Sequence, residues 1–151
     1  MLKEDFASLA NYLWRQSIKN INRLLSDEEA NQFSSNDYYY LTTIYYLHRP
    51  NFSQLSESLG LTKPAVSLII KKLMRMGLIH KEQSLEDKRI YYIVITEKGK
   101  KIIAGDEELY QSVEALIKKH MPVKEQYEQL ELMLHQIVQE FITVDEKTER
   151  M

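Results

Sequence analysis

The stretch SQLSESLGLTKPAVSLIIKKLMRMG, residues 53–77, decides the fold. Leu55 and Leu59 stand one helical turn apart, and Gly60 follows as a residue free to take the left-handed conformation that ends a helix. Ser53 is placed as the cap of this first short helix, Gln54 to Leu59. Thr62 then caps a second helix, with Pro64 in its first turn, where a missing N–H costs nothing. Val66, Ile69, Ile70 and Leu73 recur at helical spacing and form its core-facing stripe. Gly77 closes it. Two short helices joined by a tight, glycine-bearing turn make a helix-turn-helix.

Beyond Gly77 the apolar period changes from helix to strand. Leu78 to Gln83 and Ile90 to Ile95 (IYYIVI) are read as two strands, the second rich in β-branched and aromatic residues. Alternation sends Tyr91, Ile93 and Ile95 inward and leaves Ile90, Tyr92 and Val94 on the other face. The connecting residues 84–89 are polar, so the pair is a hairpin with a charged tip. Thr96 caps a long helix carrying Ile102, Ile103, Leu109, Val113, Leu116 and Ile117. Pro122 breaks the chain, and a last helix carries Tyr127, Leu130, Leu134, Ile137 and Phe141. On the N-terminal side, Phe6, Leu9, Leu13, Ile18, Ile21, Leu24 and Leu25 predict a first long helix, loosened at Ser26-Asp27-Glu28. A second helix through Tyr40, Leu41, Ile44 and Leu47 follows and ends at Arg49-Pro50. The expected fold class is mainly α with a small β-hairpin wing. Residues 32–101 form the winged helix-turn-helix lobe, 1–26 and 102–143 the flanking helices, and 144–151 a frayed polar tail.

Net charge is −2 over 151 residues, which by itself argues against nucleic acid. Its distribution argues the other way. Between Phe52 and Lys101 ten basic residues face five acidic ones, a net of +5, and the remainder of the chain carries −7. A basic centre between acidic arms suits a lobe that meets phosphates while the rest meets solvent or a partner. The chain has no cysteine, so disulfides, thiol redox sensing and cysteine nucleophiles are excluded. No apolar run approaches a membrane span and the N-terminus is acidic, so a cytoplasmic protein with no membrane partner is expected.

The chemistry of a DNA reader is concentrated in two places. The first turn of the second short helix presents Thr62, Lys63, Pro64 and Ala65, with Ser67 close behind. Small side chains permit close approach, and the helix N-terminus points free N–H groups at phosphate. Thr62, Lys63 and Ser67 can donate to base edges or phosphates, and Ala65 can touch a thymine methyl. Lys71 and Lys72 suit the flanking backbone, and Ser53 is added at the start of the preceding helix. The second place is the hairpin tip, Asp87-Lys88-Arg89, where a guanidinium suits a narrow, negative minor groove. Asp87 is read as the residue that orients Arg89 or another wing cation.

These segments together resemble the MarR (multiple antibiotic resistance regulator) family. Leu55 to Thr62 looks like that family's first helix and turn. Ala65-Val66-Ser67, Lys72-Leu73 and Gly77-Leu78-Ile79 resemble its recognition helix and exit. Asp87-Lys88-Arg89 followed by Ile95-Thr96-Glu97-Lys98-Gly99 is similar to its wing signature. The resemblance implies a homodimer with paired recognition helices in successive major grooves, wings in minor grooves, and Arg89 as the wing arginine. Two positions depart from the family pattern: Leu68 where a polar or basic residue is frequent, and Lys71 where an acid is frequent.

Apolar stripes at both chain ends need cover, and an intermolecular bundle of dimerisation helices supplies it. Leu9, Leu13, Ile18 and Ile21 come from the front, Leu130, Leu134, Ile137 and Phe141 from the back. Trp14, Tyr38, Tyr39, Tyr45 and His48 belong to an aromatic-rich segment. They serve either as core and interface filler or, as the resemblance implies, as walls of a pocket for a small amphipathic or phenolic effector. The histidines show no paired metal-ligand spacing, and no phosphate loop, metalloprotease motif or nucleophile elbow appears. The expectation is therefore a regulator of transcription without catalytic activity, cofactor or metal, and the family resemblance implies a repressor on double-stranded DNA at a palindromic operator. The alternative is a winged helix serving only as a protein–protein interaction module.

Overall fold

A computed structural model describes residues 1–149, with side chains through Val144. Its elements are α1 (Leu2–Leu24), α2 (Asp27–Gln32), α3 (Ser35–Tyr46), α4 (Phe52–Leu59), α5 (Lys63–Arg75), β1 (Ile79–Gln83), β2 (Tyr91–Ile95), α6 (Glu97–His120) and α7 (Lys124–Glu149). The fold class expected from the sequence is the one observed. The chain divides into two compact units, Met1–Leu109 and the part from Tyr110 onward.

In the first unit each helix start is written locally. Ser26, Ser34 and Asn51 each accept the backbone N–H three residues on, from Glu29, Asp37 and Gln54, whose side chains reach back to the cap backbone. These are capping boxes, two orphan donors satisfied reciprocally. The first of them creates α2, a short helix where the sequence reading places a loosened segment. The third corrects the start of α4: Asn51, not Ser53, is the cap, with 2.9 Å hydrogen bonds in both directions to Gln54. Ser53 falls inside the first turn. Gly60 ends α4 at φ +62°, a region open to glycine at no steric cost. Thr62 caps α5, accepting the Ala65 N–H at 3.4 Å.

The two strands pair antiparallel in the register Ile79 to Ile95 and Gln83 to Tyr91. The Ile93 N–H donates to the Pro50 carbonyl at 2.8 Å, and Asn51 bridges Tyr92, so the residues before α4 flank the hairpin on its second edge. Leu41, Ile44, Leu55, Val66, Ile70, Leu73, Leu78, Ile93 and Ile102 are at most 1% exposed and form one core under the helix-turn-helix. Ile93 and Ile95 face inward as the alternation predicts, but Tyr91 is exposed. The hairpin has by then passed the edge of the core, and the Tyr91 hydroxyl accepts from Gln83 Nε2 at 3.1 Å instead. The hairpin returns closely on α6: a Cβ at Gly99 would lie 2.4 Å from the Leu78 carbonyl oxygen.

In the second unit, the end of α6 and α7 are tied by Tyr127, whose hydroxyl donates to Glu114 at 3.0 Å. Helix α7 continues to Glu149, past Thr143, where the sequence reading ends the helix. The added residues include Asp, Glu, Lys and Thr, and polarity alone does not stop a helix whose neighbours continue it. Residues 150 and 151 of the expected tail lie outside the described residues.

Candidate nucleic-acid interface

Helix α5 buries Val66, Ile70 and Leu73 completely, which turns the opposite face outward. Lys63, Pro64, Leu68, Lys71 and Arg75 are exposed, and Ala65 and Ser67 are half-covered. No acidic residue interrupts the helix. Lys63, Lys71 and Arg75 form no ion pair among the described residues, so their charge is open to an anionic partner.

Lys72 is placed differently from the expectation that it meets the DNA backbone. Its ammonium lies 2.6 Å from the Asp37 carboxylate, inside the lobe. Asp37 is 3% exposed and also accepts the Ser34 N–H and hydroxyl, each at 2.7 Å. Burial alone would raise its pKa, but Lys72 and Ser34 together outweigh burial and hold the carboxyl below its ordinary value. A second tie runs from Lys98 Nζ to Glu29 at 2.6 Å and to the Met76 carbonyl at 3.0 Å, joining the start of α6 to α2 and the end of α5. The hydrogen bond from Lys98 is the main cause that lowers the Glu29 pKa. Two lysines of the basic segment therefore tie α5 to its neighbours rather than standing free.

At the wing tip, Asp87 and Arg89 form a fork. Arg89 Nε donates to Asp87 Oδ1 at 3.1 Å, a terminal guanidinium nitrogen donates to Oδ2 at 2.9 Å, and the Arg89 backbone N–H donates to Oδ1 at 2.9 Å. The side-chain bond to Arg89 lowers the Asp87 pKa and the same bond raises that of Arg89. The guanidinium side chain is nonetheless 90% exposed. The fork engages one edge of the guanidinium while its outer face stays in solvent. Lys88 beside it is exposed.

Of the five residues considered for an effector pocket, the structure brings two together. Trp14 and Tyr38 line a cavity of about 750 Å³, with Ile18, Phe33, Ser34 and others of α1 to α3. The Tyr38 hydroxyl donates to the buried Asp106 carboxylate, which also accepts from Ser17. Tyr39, Tyr45 and His48 do not line that cavity. Successive residues of α3 face in different directions, and His48 sits in a left-handed turn with φ +49°. Asn22, Asp27 and Asn31 also line it, polar residues that aromatic content does not signal.

The apolar stripes also sort. Leu9 and Ile18 on α1, and Leu134, Ile137 and Phe141 on α7, are exposed. Ile21 is not: it lies in the chain's own core, one turn after the buried Ser17. Leu13 and Leu130 are half-buried, and Leu130 lines a groove with Val113 and Ile117 of its own unit.

The capped helix-turn-helix followed by the two-stranded hairpin defines a winged-helix fold. The MarR family model matches residues 33–91, and the chain is MarR-like in both that segment and its fold. S. aureus MepR solved with ethidium bromide superposes with a TM-score of 0.69 at 17% identity, over 93% of this chain and 96% of that one. A MarR-like transcriptional regulator from Thermotoga maritima gives 0.64 at 24% identity, over 91% and 94%. A MepR point mutant bound to an oligodeoxyribonucleotide gives 0.59 at 17%, over 93% and 98%. Comparison with curated proteins gives no match.

Proposed function

We propose that this chain is a sequence-specific DNA-binding transcriptional regulator that represses by occupying a palindromic operator as a homodimer. One observation carries the reading: a capped helix with free cations and no acid lies in one lobe with a wing whose arginine is aimed outward by Asp87. Thr62, Lys63, Pro64, Ala65 and Ser67 enter the major groove, Lys71 and Arg75 meet phosphate, and Lys88 and Arg89 reach the minor groove. The fold relative MepR, solved in mutant form on an oligodeoxyribonucleotide, supports the DNA partner. The exposed apolar side chains of α1 and of α7 support the homodimer, since apolar surface clustered in water marks an interface. The DNA partner places the regulator in the cytoplasm, and no described helix is long and apolar enough to cross a membrane.

The cavity beside Trp14 and Tyr38 is the proposed effector site, for a small amphipathic or phenolic molecule. Its volume of about 750 Å³ lies within the usual range for ligand pockets. The test is a gel-shift titration of the chain against DNA upstream of its own gene and against a scrambled duplex. Specific retardation is expected, with affinity falling log-linearly with salt by about 10³-fold from roughly 50 to 200 mM. A flat salt response or equal affinity for both duplexes removes the reading and leaves a protein–protein module.

A further inference from the structure

The outward face of α5 carries a large, strongly exposed apolar side chain to which phosphate attraction gives no role. At 3.6 residues per turn, the line opposite the buried Val66, Ile70 and Leu73 runs Pro64, Leu68, Lys71, Arg75. Leu68 stands in that line and is 67% exposed. The exposed apolar residues of α1 and of α7 are numerous on each helix; Leu68 stands among Lys71, Lys72 and Arg75, on a helix with no acid. A helix lying in a major groove brings the N-terminal part of its outward line to base edges and leaves flanking cations to the backbone. A leucine gains nothing from phosphate. Among the groups that a major-groove floor presents, the one that matches it is the thymine 5-methyl.

We propose that Leu68 is a specificity-determining residue that packs on thymine methyl groups, so that each half-site carries A·T pairs beneath the middle of α5. The inference rests on the DNA-binding reading above. The surrounding charge decides the occupant: unpaired cations on both sides of Leu68 and no carboxylate on the helix fit a polyanion.

The test begins with the full chain selecting sites from a random duplex pool. Each thymine of the selected half-site is then replaced by deoxyuridine, which keeps the base pair and O4 but lacks the methyl. At one or two thymines per half-site the replacement is expected to weaken the unaltered chain by about fourfold per methyl, the gain from burying one such group. Leu68→Ala is expected to bind thymine and uracil duplexes alike, while Leu68→Met keeps the preference. Thermal unfolding of both variants confirms that the exposed substitution leaves the fold intact. Equal methyl dependence in the unaltered chain and Leu68→Ala, or selected sites without thymine there, overturns the inference and leaves DNA binding standing. Failure to enrich any sequence overturns the DNA-binding reading, and the inference with it.

Discussion

Asp37 at the start of α3 and Lys72 in the last turn of α5 form a 2.6 Å ion pair 35 residues apart in sequence. It anchors α5 to the helix that borders the cavity, because Asp37 is held by the cap residue Ser34, a lining residue. Lys72→Met leaves the Asp37 carboxylate buried with only its Ser34 partners. The expected cost is about 1–3 kcal/mol, read as a lower urea midpoint. The pH dependence has a definite sign. Asp37 is depressed in the folded state, so its stabilisation is complete above the ordinary aspartate pKa near 4. It is lost as pH falls through the lower folded value. The stability gap between the unaltered chain and Lys72→Met should therefore narrow in acid and hold constant from pH 5 to 7.

Lys71 and Lys72 are sequence neighbours with different surroundings, and salt separates them. Lys71→Ala should reduce the slope of log affinity against log salt by about one unit for each phosphate the lysine neutralises. Lys72→Ala should change the slope less and the unfolding midpoint more. Binding titrations at four salt concentrations, with thermal unfolding of each variant, check both statements.

Gly99 has no room for a side chain. A methyl there would meet the Leu78 carbonyl at 2.4 Å and the Ile95 side chain at 2.7 Å, so backbone has to move. Gly99→Ala should cost about 1–3 kcal/mol by overpacking, although alanine is the better helix former. Denaturant unfolding gives the sign directly: a variant as stable as the parent shows that the hairpin return can shift.

What is legible in the sequence is what neighbours in the chain determine. Thr62 with Pro64, the Gly60 stop and the Asp87–Arg89 pair involve residues a few positions apart, and each is read from its own segment. The α2 capping box, Ser26 with Glu29, is equally local, yet Ser26-Asp27-Glu28 reads only as a loosening of the first helix, since a helix as short as α2 shows no apolar stripe. Partners across the fold are not legible. Nothing near Lys72 names Asp37, and nothing in the stripe of α1 says that Ile21 turns into the core while Leu9 and Ile18 stay outside. The aromatic run of α3 raises a pocket, but which ring lines it depends on where α1 and α2 pack. That packing puts Tyr38 in the wall and leaves Tyr39 and Tyr45 out of it.

Helix α7 leaves Leu134, Ile137 and Phe141 exposed together with Leu132, Met133, Val138 and Ile142, and the proposed intermolecular seam runs through the first three, spaced by three and four residues. Leu134→Glu places a carboxylate in that seam and should cost several kcal/mol of assembly. Sedimentation is expected to show a dimer for the parent and a monomer for the variant at micromolar concentration. A variant that remains dimeric places the interface on another face.

The wing supplies the last prediction, because Asp87 and Arg89 are both on the surface and act as a unit. Arg89→Ala removes the guanidinium from the proposed minor-groove contact and should weaken operator binding by about 1–3 kcal/mol. The fold should not notice, since the side chain is 90% exposed. Asp87→Ala leaves the cation but frees its fork, so the arginine must be ordered when DNA binds. That loss should be smaller than the loss from Arg89→Ala, even though an acid near phosphate has been removed. If Asp87 acts only by aiming Arg89, the double variant binds no worse than Arg89→Ala alone, and the two effects are strongly non-additive. If Asp87 instead only repels DNA, Asp87→Ala binds more tightly than the parent, and the double variant recovers part of what Arg89→Ala loses. Four titrations against operator and scrambled duplexes at one salt concentration separate the two cases.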